Sequence, residues 1–465
     1  MPQSFGLRIS PSTVLQNLLH QYPSGGQFLS EALQNAEDTD RAGKFAALLD
    51  LRKHPCEKLR PPLEWRRRLQ NEAIVFYDDG GFADKDWTSL QNIYKSEKRH
   101  SPHEAGMYGM GSRSFFHMTD VLQIASRTKL AVLDPDSRVT GPQEYGECID
   151  LLQDNFGQDV DTALSFADAY PDECAPFIGL FGCTMRSDFP GTMIRAPLRA
   201  PEWAHESTFM SVAFGADRAE KVFQDFQETL KNGEIVLFLS RVQCVELWRW
   251  DSNSLQPTLL VSTRLGTSSG HLVPRTPSAP AAAKAFLKTF DTFGELQQAL
   301  LSGTAAPPEI HDLVEVTTRV EAHAEVQEST STWMRFGKFF TEQRYLALVE
   351  TCSTVPMVAI ALPVDGEVAR LGRAFTFLPL PVPTGLPIHM HASFRLQDNR
   401  RGMWRDAPDL EGDHKSWGQW NEYIVGSVVP DLYAKILEWL ASNKHHEWTL
   451  WPRTDAVREG FSEVL

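Results

Sequence analysis

Phe28-Leu29-Ser30-Glu31-Ala32-Leu33-Gln34-Asn35-Ala36-Glu37-Asp38 is the stretch on which the reading of this chain turns. Its apolar residues Phe28, Leu29, Ala32, Leu33 and Ala36 recur at i, i+1, i+4, i+5 and i+8. That spacing predicts a helix with one flank on a core. Glu31, Asn35 and Asp38 recur at i, i+4 and i+7 and line a second face. Two readings of this face are open. An acidic amphipathic helix keeps it in water, as most surface helices do. A binding helix aims it into a pocket, where a carboxylate serves as general base toward a water and an amide oxygen suits a hard cation such as Mg2+.

Three later stretches fit such a pocket. Ala73–Tyr77 reads as a buried strand and ends in Asp78-Asp79-Gly80-Gly81. Asp-Gly is a strong hairpin-turn signal. It also suits a strand-end carboxylate, Asp79, that accepts a hydrogen bond from a base's exocyclic amine, with Gly81 letting a ligand approach the backbone. Gly106, Gly109 and Gly111 precede a predicted helix over Ser112–Met118. Free N–H groups at such an opening hold phosphate oxygens, although the run equally suits a flexible loop. It is not a P-loop, because no Lys-Ser/Thr follows, and it is a poor dinucleotide fingerprint. Gly191-Thr192 lies in a strand-like run from Phe189 to Leu198.

In this order (a helix with E-x-x-x-N-x-x-D, strand-D-x-G, G-x-x-G-x-G-helix, then G-T) the residues resemble the GHKL-type ATP-binding fold of the ninety-kilodalton heat-shock chaperones. More closely they resemble its sacsin-repeat version. The likeness extends through Tyr22–Gln27, His117–Asp120, Leu133-Asp134-Pro135, Gly179–Cys183, Gly372–Pro381 and Asn399-Arg400-Arg401. The resemblance implies an α+β fold. It would be a two-layer GHKL (Bergerat) nucleotide-binding sandwich of mixed sheet and helices, followed by a strand-rich middle domain. It also implies ATP and Mg2+ as cofactors. Glu31 would be the general base, Asn35 the Mg2+ ligand, and Asp38 a neighbour of the site. Asp79, Gly81 and Thr192 would lie at the adenine, and Gly106, Gly109 and Gly111 at the phosphates. The polar segment between Phe82 and Ala105 would be a short lid offering Lys98 to a phosphate. Arg400 and Arg401 would neutralise charge on the transferred group, an effect worth roughly 10³–10⁵ in rate elsewhere. Ala83 stands where the wider family has a second glycine, and Ser112 where it has Phe. Three function classes follow: an ATP-hydrolysing chaperone-like module, a non-hydrolysing nucleotide-sensing or vestigial interaction domain, and a GHKL kinase or DNA-repair ATPase.

Length and composition bound the rest. The 465 residues, 42% hydrophobic and 23% charged, suffice for two or three domains with real cores. The expected division is 1–265 for the nucleotide domain with its following helix and hairpin. Residues 266–311 would be a linker or helical insertion, and 312–465 the middle domain with its closing helix and tail. A net charge of −15 sets nucleic acid aside as the main partner. No run of 18 apolar residues suggests a membrane span. The first residues lack a signal core, which favours the cytoplasm, with the nucleus open. The six cysteines form no C-x-x-C pair and read as reduced and structural. Any client protein is unspecified. Smaller expectations are a surface loop over His54–Arg68 with Arg66-Arg67-Arg68 solvated, and a strand over Phe177–Cys183. Arg218–Arg241 and Ala283–Leu301 read as single helices, and His389 and His391 as neighbours on one strand face with no third metal ligand.

Overall fold

The computed structural model describes residues 10–21, 27–39, 41–91, 102, 111–142, 144–153, 156, 164–267, 279–322, 325–364, 372–397 and 402–442. Its strands are β1 (Lys44–Asp50), β2 (Ala73–Asp78), β3 (Leu122–Arg127), β4 (Lys129–Leu133), β5 (Gly146–Asp150), β6 (Phe189–Pro197) and β7 (Cys244–Trp250). They continue as β8 (Thr258–Thr267), β9 (Ile310–Ala322), β10 (Glu325–Phe339), β11 (Met357–Pro363), β12 (Arg373–Thr376), β13 (Leu378–Pro383) and β14 (His389–Ala392). All join one mixed sheet in the order β13-β12-β14-β11-β10-β9-β8-β7-β1-β2-β6-β3-β4-β5. Neighbours run antiparallel except at β1·β7 and β12·β14.

The helices are α1 (Pro11–Gln21), α2 (Gln27–Asp38), α3 (Leu63–Arg68), α4 (Asp84–Gln91), α5 (Phe166–Ala169), α6 (Pro171–Cys174) and α7 (Ala216–Lys231). After them come α8 (Ala279–Leu287), α9 (Phe293–Leu301), α10 (Gln343–Leu346), α11 (Leu348–Cys352), α12 (Gly412–Tyr423) and α13 (Val429–Ser442).

The apolar run of β1 is explained by burial on both faces, the usual state of a central strand with a parallel neighbour. Phe45, Ala47 and Leu49 face one cluster with Leu15, Phe28, Leu29, Leu33, Ile74, Phe76 and Phe223. That cluster is the floor of a helical layer made by α1, α2 and α7. Leu48 and Val75 face the other side, where Phe166, Cys174, Phe177 and Phe189 cover the sheet. A third cluster packs α8, α9 and α11–α13 on β10, β11 and β14. The sheet itself runs unbroken past residues 266–311, because β8 pairs β9 from Val261↔Val320 to Thr267↔Val314.

Several local expectations are corrected. Residues 177–183 form a turn rather than a strand, since Gly179 and Gly182 both take φ 82 and Phe181 takes φ 47. The helix expected over Arg218–Arg241 stops at Lys231, with Gly233 at φ 71 and a 3-10 turn beyond it. A Cβ on Gly233 would lie 2.7 Å from Val316 Cγ1, so only glycine fits the stop. The helix expected over Ala283–Leu301 breaks into α8 and α9, the second capped by the Thr292 hydroxyl accepting from Glu295 N–H. Arg66 is not solvated. It is buried in α3 and donates to Glu173 at 2.9 Å and Glu147 at 3.3 Å. Arg60 joins both carboxylates at 2.8 Å.

This network ties the segment between β1 and β2 to β5 and α6. Removing one buried charge from such a set costs about 3–5 kcal/mol. Glu173→Gln is therefore expected to lower unfolding free energy by about 3 kcal/mol in urea titration, while Glu202→Gln, at an exposed position, changes it by less than about 0.5 kcal/mol. A loss below about 1 kcal/mol for Glu173→Gln would contradict the assignment of this network as a main tie.

Candidate functional site

α2 lies across the sheet with its apolar flank down. Phe28 meets Phe76 edge-on at 6.5 Å and Phe214 at 5.7 Å, and Phe76 stacks on Phe115 at 4.8 Å. Phe115 belongs to the 3-10 helix Gly111–His117, so this helix and α2 both sit above β2. On α2, Glu31 is buried, and Asn35 and Asp38 are half-buried.

Side chains alternate along β2. Ile74 and Phe76 face α2, while Val75 and Tyr77 face the opposite cluster. Asp78 continues the first series and Asp79 the second. Asp78 pairs in register with Thr192 of β6, which pairs with Ser126 of β3. Ala196 of β6 and Leu122 of β3, at the same parity, join the α2 cluster. The result is a polar row, Asp78–Thr192–Ser126, on the face that α2 covers. The Thr192 and Ser126 hydroxyls are 3.1 Å apart, and Ser126 donates to Gly191 O and accepts Phe82 N–H, both at 2.8 Å.

The two strand-end carboxylates have different tasks. Asp79 is exposed, and its Oδ1 accepts Gly43 N–H at 2.7 Å and Lys44 N–H at 2.9 Å, fixing the start of β1. Asp78 accepts Gly80 N–H at 2.9 Å. Burial pushes the Asp78 carboxyl up to about 7, with Asp79 and Asp86 adding to the rise and the Gly80 bond and Arg41 opposing it. The glycines let this end pass under α2. A Cβ on Gly80 would lie 2.6 Å from Thr39 Cγ2, just past the helix. Gly81 takes φ 60, and a Cβ there would lie 2.3 Å from Pro190 O. Its carbonyl accepts Arg41 Nη2 at 3.0 Å.

Sequence reasoning missed Glu37. It is buried, and its carboxylate accepts Ser240 N–H at 2.8 Å, Arg241 N–H at 3.0 Å and Val242 N–H at 2.9 Å, plus the Ser240 hydroxyl. Lys284 of α8 donates to the Glu37 carbonyl at 2.7 Å. The signal was present: Glu37 falls four residues after Leu33 and eight after Leu29, on the apolar flank.

Of the other expected site residues, Gly111 opens the 3-10 helix beside α2. Lys98, Gly106, Gly109, Arg400 and Arg401 lie outside the described residues. His389 and His391 are buried, with Nδ1 atoms accepting Arg373 N–H and Phe377 N–H at 3.1 Å. Among the described residues no three His, Cys, Asp or Glu gather as a metal site. The amide and carboxylate of Asn35 and Glu31 above a polar row do suit a magnesium-bound nucleotide in donor chemistry, since Mg2+ keeps most of its waters and needs few protein oxygens.

A family model described as "Sacsin domain" matches residues 10–262. Human sacsin (Homo sapiens) is 29% identical to this chain over 97% of its length, and the chain spans 10% of that protein. A solved structure titled "Crystal Structure of N terminal domain of a DNA repair protein" aligns with a TM-score of 0.35 and 10% identity, over 91% of this chain and 98% of that one. No helix among the described residues is long and apolar enough to cross a membrane.

The raised Asp78 carboxyl carries a pH signature. Its folded value of about 7 exceeds its ordinary 3.8, so between these values the folded state holds more protons than the unfolded state. Stability from this group is therefore present below the lower value and falls as pH rises through the higher one. The melting temperature of Asp78→Asn relative to the unsubstituted protein is expected to rise between pH 5 and pH 8. A flat difference across that range would show that Asp78 is not the strained carboxyl.

Proposed function

Because the chain belongs to the sacsin domain family, we propose that it is a magnesium–ATP-binding, chaperone-like module of the sacsin-repeat type, built on a GHKL (Bergerat) frame. The observation that carries this reading is the polar row Asp78–Thr192–Ser126, lying on the sheet face covered by the helix that bears Glu31 and Asn35. A base would lie over the row, with the strand-end carboxylates near its exocyclic amine and Gly80 and Gly81 leaving room at the backbone. Asp78 occupies the α2 side of that strand end, and Asp79 holds β1 in place for it. Asn35 would hold Mg2+, which supplies charge neutralisation at the phosphates when bound. Gly106, Gly109 and Gly111 would offer N–H groups to phosphate oxygens, with Lys98, Arg400 and Arg401 as cations. Glu31 would orient and deprotonate a water, with Asp38 beside the site. The module would meet ATP and an unidentified client protein in the cytoplasm or nucleus.

A non-hydrolysing, nucleotide-sensing version of the same frame is favoured by one observation. The Oδ1 of Asp79 is already taken by two backbone N–H groups, so part of the strand-end pair is spent on structure. Turnover separates the two readings.

Calorimetric titration with Mg-ATP tests binding. The unsubstituted chain is expected to bind, and Asp78→Asn to weaken binding by at least about tenfold, or about 1.4 kcal/mol. Glu31→Ala is expected to leave affinity within about threefold and lower steady-state hydrolysis by about 10²–10⁴. Absence of heat and of any thermal shift at millimolar ATP would overturn nucleotide binding. Binding with turnover indifferent to Glu31→Ala would leave the sensing version.

A further inference from the structure

The two outer edges of the sheet are defended against added strands. β13 carries Pro379, Pro381 and Pro383, and proline on an edge strand blocks pairing. β5 is only five residues long, and its Glu147 is taken by Arg60 and Arg66. A further stretch of free edge lies inside the strand order. β10 pairs β9 from Glu325↔Ala322 to Gly337↔Ile310, but it pairs β11 only from Trp333↔Pro363 onward. One more bond, from Val364 N–H to Thr332 O at 2.8 Å, closes that second ladder. Among the described residues, 325–331 therefore have a strand on one side only, over about 20 Å.

The Thr332 bond fixes which backbone groups point outward. Alternate residues of a strand turn their N–H and C=O to the same side. Val326, Glu328 and Thr330 therefore direct theirs away from β9. Residues 325–330 are all exposed, Val326 at 53%. No proline or bulge interrupts this edge. An open groove of about 750 Å³ adjoins it, lined by Lys231, Thr318, Val320, Gln327 and Ser329 together with Glu325 and Glu328. The charges decide which strand fits. Lys231 is held by Glu228 at 2.6 Å and Arg319 by Glu321 at 2.5 Å, whereas Glu325 and Glu328 have no ion-pair partner among the described residues. A second copy that used all three outward residues would set Glu328 against Glu328, and like charges directly opposite destabilise a pair. A strand bearing lysine or arginine meets the opposite charge.

We propose that the edge at residues 325–331 takes up an extended, lysine- or arginine-bearing segment of a partner protein as an added strand. The inference goes beyond nucleotide binding and does not rest on it. The outward backbone groups of Val326, Glu328 and Thr330 hold the main chain of that segment, and Glu325 and Glu328 select its side chains, the usual division of labour in strand addition.

The test is fluorescence anisotropy on the full chain with three dye-labelled peptides: K-T-V-K-V-T-K, the same peptide N-methylated at its central residues, and E-T-V-E-V-T-E. The basic peptide is expected to bind with a dissociation constant of about 100 μM or tighter. The other two are expected to bind at least about tenfold more weakly, one for want of N–H donors and the other for its charge. Val326→Pro removes an outward N–H where proline leaves the β9 ladder intact, and Glu328→Lys reverses the central charge. Each should weaken binding of the basic peptide by at least about tenfold with circular dichroism unchanged. If Val326→Pro fails to fold, Glu328→Lys and the N-methyl contrast still decide. No binding of the basic peptide, equal binding of its N-methylated copy, or full binding by either folded variant would overturn the proposal. Dimerisation in sedimentation that Val326→Pro abolishes would also overturn it, by making a second copy the occupant.

Discussion

A carboxylate with almost no access to water holds this fold's key helix in place. Glu37 is 1% exposed. An ionised carboxyl at such a position is tolerated only where donors replace its water, and here three backbone N–H groups and a hydroxyl do so. Sliding or rotating α2 would strand that charge among Leu33, Leu237 and Val242. The bond therefore fixes the helix's rotation, and with it the direction of Glu31 and Asn35. A chemical face carried on a packed helix needs no further restraint from loops.

A second buried ion holds the opposite wall. The Arg199 guanidinium gathers Asp120 Oδ1 at 2.9 Å and the carbonyls of Phe116, His117 and Thr119 at 2.8, 3.0 and 2.7 Å. It closes the end of the 3-10 helix whose Phe115 packs on Phe76. Between these two anchored walls the sheet presents Asp78, Thr192 and Ser126. Glycines at 80 and 81 then let β2 end in contact with the helix above it. Stability, shape and the polar chemistry of the floor thus depend on a few charges placed where water cannot correct them.

Local pattern made much of this readable. Apolar spacing located α2, and the short run A-I-V-F-Y located β2, because both depend on neighbours within a few residues. The choice between Asp78 and Asp79 was not local. Alternation puts them on opposite faces, but which face α2 covers is decided by the packing of Ile74 and Phe76 against Phe28 and Phe115, about forty residues away on either side. Arg66 misled because a basic triplet reads as solvated until its partners Glu147 and Glu173 are brought to it by the fold. Strand β5 escaped because an edge strand buries so little; of G-E-C-I-D only Ile149 is buried. Glu37 was readable as an acid on an apolar flank, yet its partners at 240–242 come from the far side of the sheet's longest crossover.

The most direct test of this account is amide hydrogen exchange in Glu37→Gln. A neutral amide keeps the shape but weakens the bonds to residues 240–242. Exchange over residues 27–38 and 240–242 should speed by about a hundredfold, corresponding to about 3 kcal/mol of lost local stability, while β1 and β2 keep their protection. Unchanged exchange in α2, or a uniform loss that includes β1 and β2, would show that the helix is not held by this carboxylate.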